Sequence, residues 1–258
     1  MIKLKIAITT VGSDAASSDI ARQICEDTAL LELCTPVFGK ADAQEADAQV
    51  LVPTTETAPC PTDAVEILVT DKTNIILLGK EPTAEDIAKL RDILERDFDL
   101  RSPRIAIVQE TSMQVPDLAT QVTADLGINT YGPLTREQLQ AEDAAHHFDA
   151  VILADNSLAP GIVSALTPAA PTRVFAGRQA VVTAAYRPLR PEETDEELTD
   201  ISCLTHPIYT AIDIVRNRAF YDEARQNPLP KLFRDKRDDR KKEDAPRTNN
   251  DNNTEQPS

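Results

Sequence analysis

Residues 151–160 read VILADNSLAP, an apolar run that ends abruptly in an acid, an amide and a hydroxyl. Asp155 and Asn156 could serve as a general base and an amide donor, because the ligand crevice of an open α/β sheet lies beyond the carboxyl ends of its strands. A turn after a strand uses the same residue types, and a turn is the expected use. Only 3 histidines are present. His146 and His147 are neighbours in sequence, so they project to different faces and are not expected to share a metal. His206 stands beside Pro207 at the opening of a long helix, where a structural role is expected. Cys25, Cys34, Cys60 and Cys203 form no C-x-x-C pair, which argues against a zinc knuckle or a thioredoxin-type site, and buried reduced thiols are expected. Cys203 has only His206, three residues on, as a partner that could activate it. The acidic run EETDEELTD (192–200) lacks the glycine and ligand spacing of a calcium loop and is read as a solvated helix.

The elements that must position these residues follow from periodicity. KLKIAIT (3–9) is a strand, followed by the polar loop VGSDAASS and a helix over DIARQICEDTALLELC with Ile20, Ile24, Ala29 and Leu33 at helical spacing. TPVFG (35–39) and VLV (50–52) are short strands, and VEILVT (65–70) and NIILLG (74–79) are buried ones. Thr83 with Asp86 makes a capping box for EDIAKLRDILERDF, with Pro103 as its breaker. RIAIVQ (104–109) is a strand, a helix over roughly 117–126 stops at Gly127, and Thr135 with Gln138 opens another helix before the strand AVILA (150–154). RVFAG (173–177) and AVVTAAY (180–186) are strands, and residues 206–226 form a long helix with Ile208, Ala211, Ile212 and Val215 on one face. The alternation predicts a three-layer α/β/α arrangement around a mostly parallel sheet. Residues 1–230 are expected to form a single α/β/α unit, with room for two subdomains sharing a cleft. The charged, polar segment 231–258 is too poor in apolar groups to order itself.

The chain has 258 residues, 41% of them hydrophobic, and a net charge of −16. The segment from Lys231 holds 8 basic and 7 acidic residues, so the rest carries −17, a field that repels nucleic acid and anionic membranes. The start, MIKLKIAITT, has no signal-peptide pattern, and no run approaches the roughly 20 apolar residues of a membrane span, so a cytoplasmic location is expected.

Several stretches together resemble the 4-hydroxythreonine-4-phosphate dehydrogenase family, in a bacteroidete-type form. They are KIAIT at the start, LELCTPV (31–37), LRDILERDFDLRSPRIAIV (90–108), FDAVILA (148–154) and the closing AIDIVRNRAFYDEARQNPL. The resemblance implies an isocitrate/isopropylmalate dehydrogenase-like fold, here reduced in size, and a dimer that oxidises a phosphorylated substrate with NAD in pyridoxal 5′-phosphate biosynthesis. It further implies three histidines on a divalent metal, which would polarise the substrate hydroxyl as hydride leaves.

This chain departs from that pattern at each of those positions. The family's Asn-Pro-His-Ala-Gly loop is QETSMQVPD, its Tyr-His-Asp-Gln-Gly-Leu-Ala-Pro loop is DNSLAP, and its third run is AGRQAVVTAAYRP. Arg187 stands about where the third ligand would be, and a guanidinium cannot ligate a metal. The family's substrate-binding arginine falls at Val182. The glycine-rich first loop has become VGSDAASS, with Asp14 and Asp19 where a phosphate would need bare amides. The segment carrying the family's Gly-His-Thr substrate loop is shortened to VEILVTDKTNIILLG, in which Lys72 and Asn74 are a faint match to an Asn-Lys turn.

The expectation is therefore a pseudoenzyme: a family scaffold without a metal site that serves as a binding or regulatory partner, as a homodimer or as a heterodimer with an active paralogue. The alternative is an active NAD-dependent oxidoreductase on 4-hydroxythreonine 4-phosphate or a related phosphorylated hydroxy acid, and a third is a small-molecule sensor. Asp155 and Asn156 are the catalytic candidates, Ala176, Gly177 and Thr183 the NAD-binding candidates.

Overall fold

The structure is a computed structural model that describes residues 3–11, 17–38, 45–53, 57–109, 118–167, 169–186 and 202–227. The acidic run 192–200, Arg187, Asp14 and the segment 231–258 lie outside the described residues. The chain divides into two compact units, Met1–Tyr221 and Asp222–Ser258.

In chain order the strands are β1 (Leu4–Val11), β2 (Cys34–Phe38), β3 (Ala48–Pro53), β4 (Val65–Val69), β5 (Asn74–Leu77), β6 (Ile105–Val108), β7 (Thr130–Leu134), β8 (Ala150–Leu153), β9 (Thr172–Ala176) and β10 (Val181–Ala185). The helices are α1 (Ser17–Glu26), α2 (Thr28–Leu33), α3 (Ala84–Phe98), α4 (Leu118–Leu126), α5 (Arg136–Gln140), α6 (Ala159–Leu166) and α7 (Ser202–Gln226). All ten strands share one sheet in the order β2-β1-β3-β10-β9-β4-β5-β8-β6-β7. Six of its neighbouring pairs are parallel, and the three antiparallel ones, β10-β9, β9-β4 and β4-β5, sit together in the middle. The mostly parallel three-layer α/β architecture is as expected.

Side chains alternate across the sheet with the period of two that pleating imposes. One face buries Ile6, Ile8, Val50, Ile67, Ile76, Ile105, Ile152 and Val174 against apolar residues of α1, α2, α3, α4 and α7. On the other face Leu68, Ile75, Val108, Val151 and Leu153 pack under Leu139 at α5 and Ile162, Val163 and Leu166 of α6. Phe175, Val182 and Ala184 continue that second face beneath Ala58 and Ala64 of the loop that leads into β4. β5, β6 and β8 are flanked by neighbours and covered on both faces, which is why they read as unbroken apolar runs.

The helices depart from the sequence reading in four places. The first long helix is two, because the Asp27 side chain accepts from Ala29 N and Leu30 N and so starts α2 afresh. α3 ends at Asp99, in the left-handed conformation at φ 53°, well before Pro103. α6 takes up Pro160 and Gly161 in its first turn, where a missing N–H costs nothing. α7 starts at Ser202, four residues before His206.

Candidate functional site

β5, β8 and β6 run parallel side by side and end at one edge of the sheet. Their register is kept to the last residue, since Leu78 N and Gly79 N both donate to Leu153 O and Ala154 N donates to Val108 O. The chain leaves β8 straight into a 3-10 turn over Asn156–Leu158, closed by Asp155, whose Oδ1 accepts from Ser157 N at 2.8 Å. The Ser157 hydroxyl and N–H hold the exposed Asp155 carboxyl below the usual carboxylate range. A base works best with a pKa near the working pH, so this carboxylate is a weak proton acceptor. Asn156 lies over Gly79, which has φ +66°, and a Cβ there would stand 3.0 Å from Asn156 Nδ2.

The other candidates are built differently. Ala176 is fully buried in the core, and Gly177, at φ +89°, begins the turn of the β9-β10 hairpin. A Cβ on Gly177 would meet only Ile93 Cδ1 at 3.7 Å, so the glycine answers to its backbone angle and not to a close approach of a ligand. Thr183 is fully buried, and its Oγ1 donates to Pro207 O at 2.9 Å, tying β10 to α7. The structure thus brings Ala176 and Gly177 to the same sheet edge as Asp155 and Asn156. The two pairs are separated by β4 and β5, roughly 14 Å at the usual strand spacing. Thr183 stays in the middle of its strand.

β10 runs opposite to β8, being three antiparallel steps away. β6 and β8 therefore end at one edge of the sheet and β10 at the other. His146 and His147 end the 3-10 turn Ala141–His147 ahead of β8, both exposed, and His206 is exposed on α7. Among the described residues no three His, Cys, Asp or Glu side chains gather as a metal site. The donor set at the β8 end is one carboxylate already bonded to its own turn, and it does not fit a metal that takes imidazoles. The β9-β10 hairpin lacks the strand-then-helix turn on which a Rossmann fold seats a dinucleotide pyrophosphate.

The cysteines correct one expectation. Cys34 is buried, with its thiol pushed up by that burial, but Cys25 and Cys60 are exposed. Ile24 takes the buried position beside Cys25 on α1, and Cys60 belongs to the loop before β4. Although the residue is exposed overall, partial burial of its thiol and then the Glu66 carboxylate raise Cys60 as well, so neither Cys34 nor Cys60 is an activated thiolate.

Two ion pairs were not foreseen. Arg173 on β9 donates to Glu66 on β4 at 2.6 Å and to Ala58 O at 2.7 Å, and its guanidinium lies 5.1 Å from the Phe175 ring centre. Fully buried Asp97 of α3 accepts from Arg218 of α7 at 2.7 Å through both Nε and Nη2, and from Arg96 Nε at 2.8 Å. An arginine in a strand and an acid in a long helix were the only signals, and nothing in the sequence pairs them.

No family model matches the chain. It is 28% identical over 178 residues to a 4-hydroxythreonine-4-phosphate dehydrogenase of Bacteroides thetaiotaomicron, a match that covers 63% of this chain and 48% of that relative. The chain thus spans about half the length of the curated relative it matches. Its fold is similar to that of a 4-hydroxythreonine-4-phosphate dehydrogenase from Burkholderia phymatum, with TM-score 0.59 and 12% identity over 83% of this chain and 99% of that one. A β-decarboxylating dehydrogenase from Thermococcus kodakarensis, in its apo form, shares the fold with TM-score 0.51 and 9% identity over 90% of this chain and 99% of that one. In sequence the chain is similar to a 4-hydroxythreonine-4-phosphate dehydrogenase, and its fold is that of solved dehydrogenases of this and the β-decarboxylating kind.

Proposed function

We propose that this shortened relative of the 4-hydroxythreonine-4-phosphate dehydrogenases keeps the dehydrogenase scaffold without metal-dependent oxidation and acts as a binding or regulatory partner. The observation that carries the reading is the end of β8. Where the resemblance places a histidine ligand, the chain turns at once. Asp155 is spent on the Ser157 N–H and Asn156 packs over Gly79. Side chains engaged this way close a turn; they do not hold a Lewis acid against a substrate hydroxyl. The partner proposed is a second copy of this chain or an active paralogue, through the dimer surface that the resemblance implies. NAD, if it binds, binds without turnover.

Zinc binding tests the reading. Chelator-treated, redialysed protein titrated with zinc in a calorimeter is expected to give no tight stoichiometric site, and D155A is expected to give the same trace. A one-to-one site that D155A weakens strongly would sink the proposal.

A further inference from the structure

The sheet edge opposite Asp155 holds a cavity of about 160 Å³ between the end of β4, the start of β9 and the first turns of α7. Its walls include Val69, Pro171 and the methyls of Ala169 and Ala170, and its polar groups come from Thr70, Asp71, Thr167, Thr172, His206 and Thr210. Some of these hydroxyls are committed. Thr70 Oγ1 donates to Thr73 O at 2.8 Å and accepts from the N–H groups of Lys72 and Thr73, and Thr167 Oγ1 accepts from Ala169 N. Those bonds make the floor rigid. The side chains of Asp71 and His206, which are exposed, and of Thr210 make no hydrogen bond or ion pair among the described residues. His206 and Thr210 are four apart on α7 and so share a face, and that part of α7 is fixed by the Thr183 bond to Pro207 O.

Chemistry narrows the occupant. Among the described residues of the lining Asp71 is the only Asp, Glu, Lys or Arg, and the whole chain carries −16, so an anion is repelled and a cation is drawn in. Hydroxyls and an imidazole favour a ligand that both donates and accepts hydrogen bonds, and alanine, valine and proline offer a face to its carbon skeleton. At about 30 Å³ per water, the volume holds roughly five or six heavy atoms. We propose that this cavity binds a small hydroxylated amine, its ammonium on Asp71 and its hydroxyls on His206 and Thr210. The proposal is independent of whether the β8 edge catalyses anything, since the two lie at opposite ends of the strands.

Three probes with one three-carbon skeleton separate the alternatives: 2-amino-1,3-propanediol, glycerol and glycerol 3-phosphate, each titrated into full-length ¹⁵N-labelled protein at neutral pH. The amino diol is expected to shift the amides of Asp71, Thr172 and Thr210 saturably. Glycerol should bind about tenfold more weakly and glycerol 3-phosphate more weakly still, the difference expected for one charge-assisted hydrogen bond. Asp71→Asn should bring the amino diol to the level of glycerol, and Thr210→Val should weaken both alike. Absence of saturable shifts, tightest binding by glycerol 3-phosphate, or an Asp71→Asn variant that binds the amino diol undiminished would each overturn the proposal. Should Asp71→Asn fail to fold, Thr210→Val with the three probes decides it in the same way.

Discussion

Replacing Arg218 with methionine is expected to cost the fold about 3–4 kcal/mol, of which about 3 is the lower end of the 3–5 kcal/mol typical when one member of a buried ion pair is removed. The Asp97 carboxylate is fully buried, and Arg218 meets its two oxygens with two donors, both at 2.7 Å. Methionine keeps much of the apolar stem but leaves the carboxylate to Arg96, which reaches one oxygen at 2.8 Å and the other only at 3.4 Å. That remaining partner is why the lower figure applies. The bond from Arg218 Nη1 to Gln179 O, 2.6 Å, goes as well and adds about 1 kcal/mol. The chain has no tryptophan, so urea unfolding would be followed by far-ultraviolet circular dichroism. With a slope of about 2 kcal/mol per molar urea, the midpoint should fall by roughly 1.5–2 M. Lys89→Met, which breaks the fully exposed pair with Glu85, serves as the control and should leave the midpoint essentially unmoved. A loss for R218M no larger than that of K89M would refute the claim that this pair fastens α7 to α3.

Asp149 gives a pH prediction. Burial opposes its ionisation, but bonds from Arg104 N at 2.8 Å and from its guanidinium at 3.2 Å outweigh that and hold the carboxyl below the usual range. A depressed folded pKa contributes stability above the unfolded value of about 3.9, and that contribution fades as pH falls through the folded value. The stability gap between the parent and D149N should therefore be full at neutral pH and close in acid; a gap independent of pH contradicts the assignment. Gly132→Ala would place a Cβ 2.6 Å from Ile107 O at φ +115°. The cost should be about 2–3 kcal/mol in a thermal melt, and an unchanged melting temperature would show that β7 does not sit against β6 as described.

Much of the fold was legible because local signals agreed. Thr83 and Asp86 marked the start of α3, and both halves of that capping box form. The apolar runs at β5, β6 and β8 told of burial on both faces. β7 escaped because TYGPL holds a Gly-Pro step that reads as a turn, and α6 because APGIVSAL opens on Pro and Gly. The direction of β4 and β5 was within reach, since the few residues between them, through Asp71 and Lys72, are too short for a parallel crossover. The candidate site was less legible. Asp155 was correctly placed at a strand end, but that Asn156 would pack over Gly79 depends on β5 and β8 being neighbours, which no local pattern states. The pairs Arg173 with Glu66 and Arg218 with Asp97 join residues 107 and 121 apart in sequence, and so arise only once the sheet is assembled.

The proposed function has this scaffold working without the metal-dependent oxidation of its relatives. NADH formation from 4-hydroxythreonine 4-phosphate and NAD, with magnesium or zinc supplied and an active relative run alongside, tests it most directly. The trace is expected to stay at the blank while the relative turns over. Turnover above the blank that scales with the concentration of this protein would contradict it and would return Asp155 and Asn156 to the reaction.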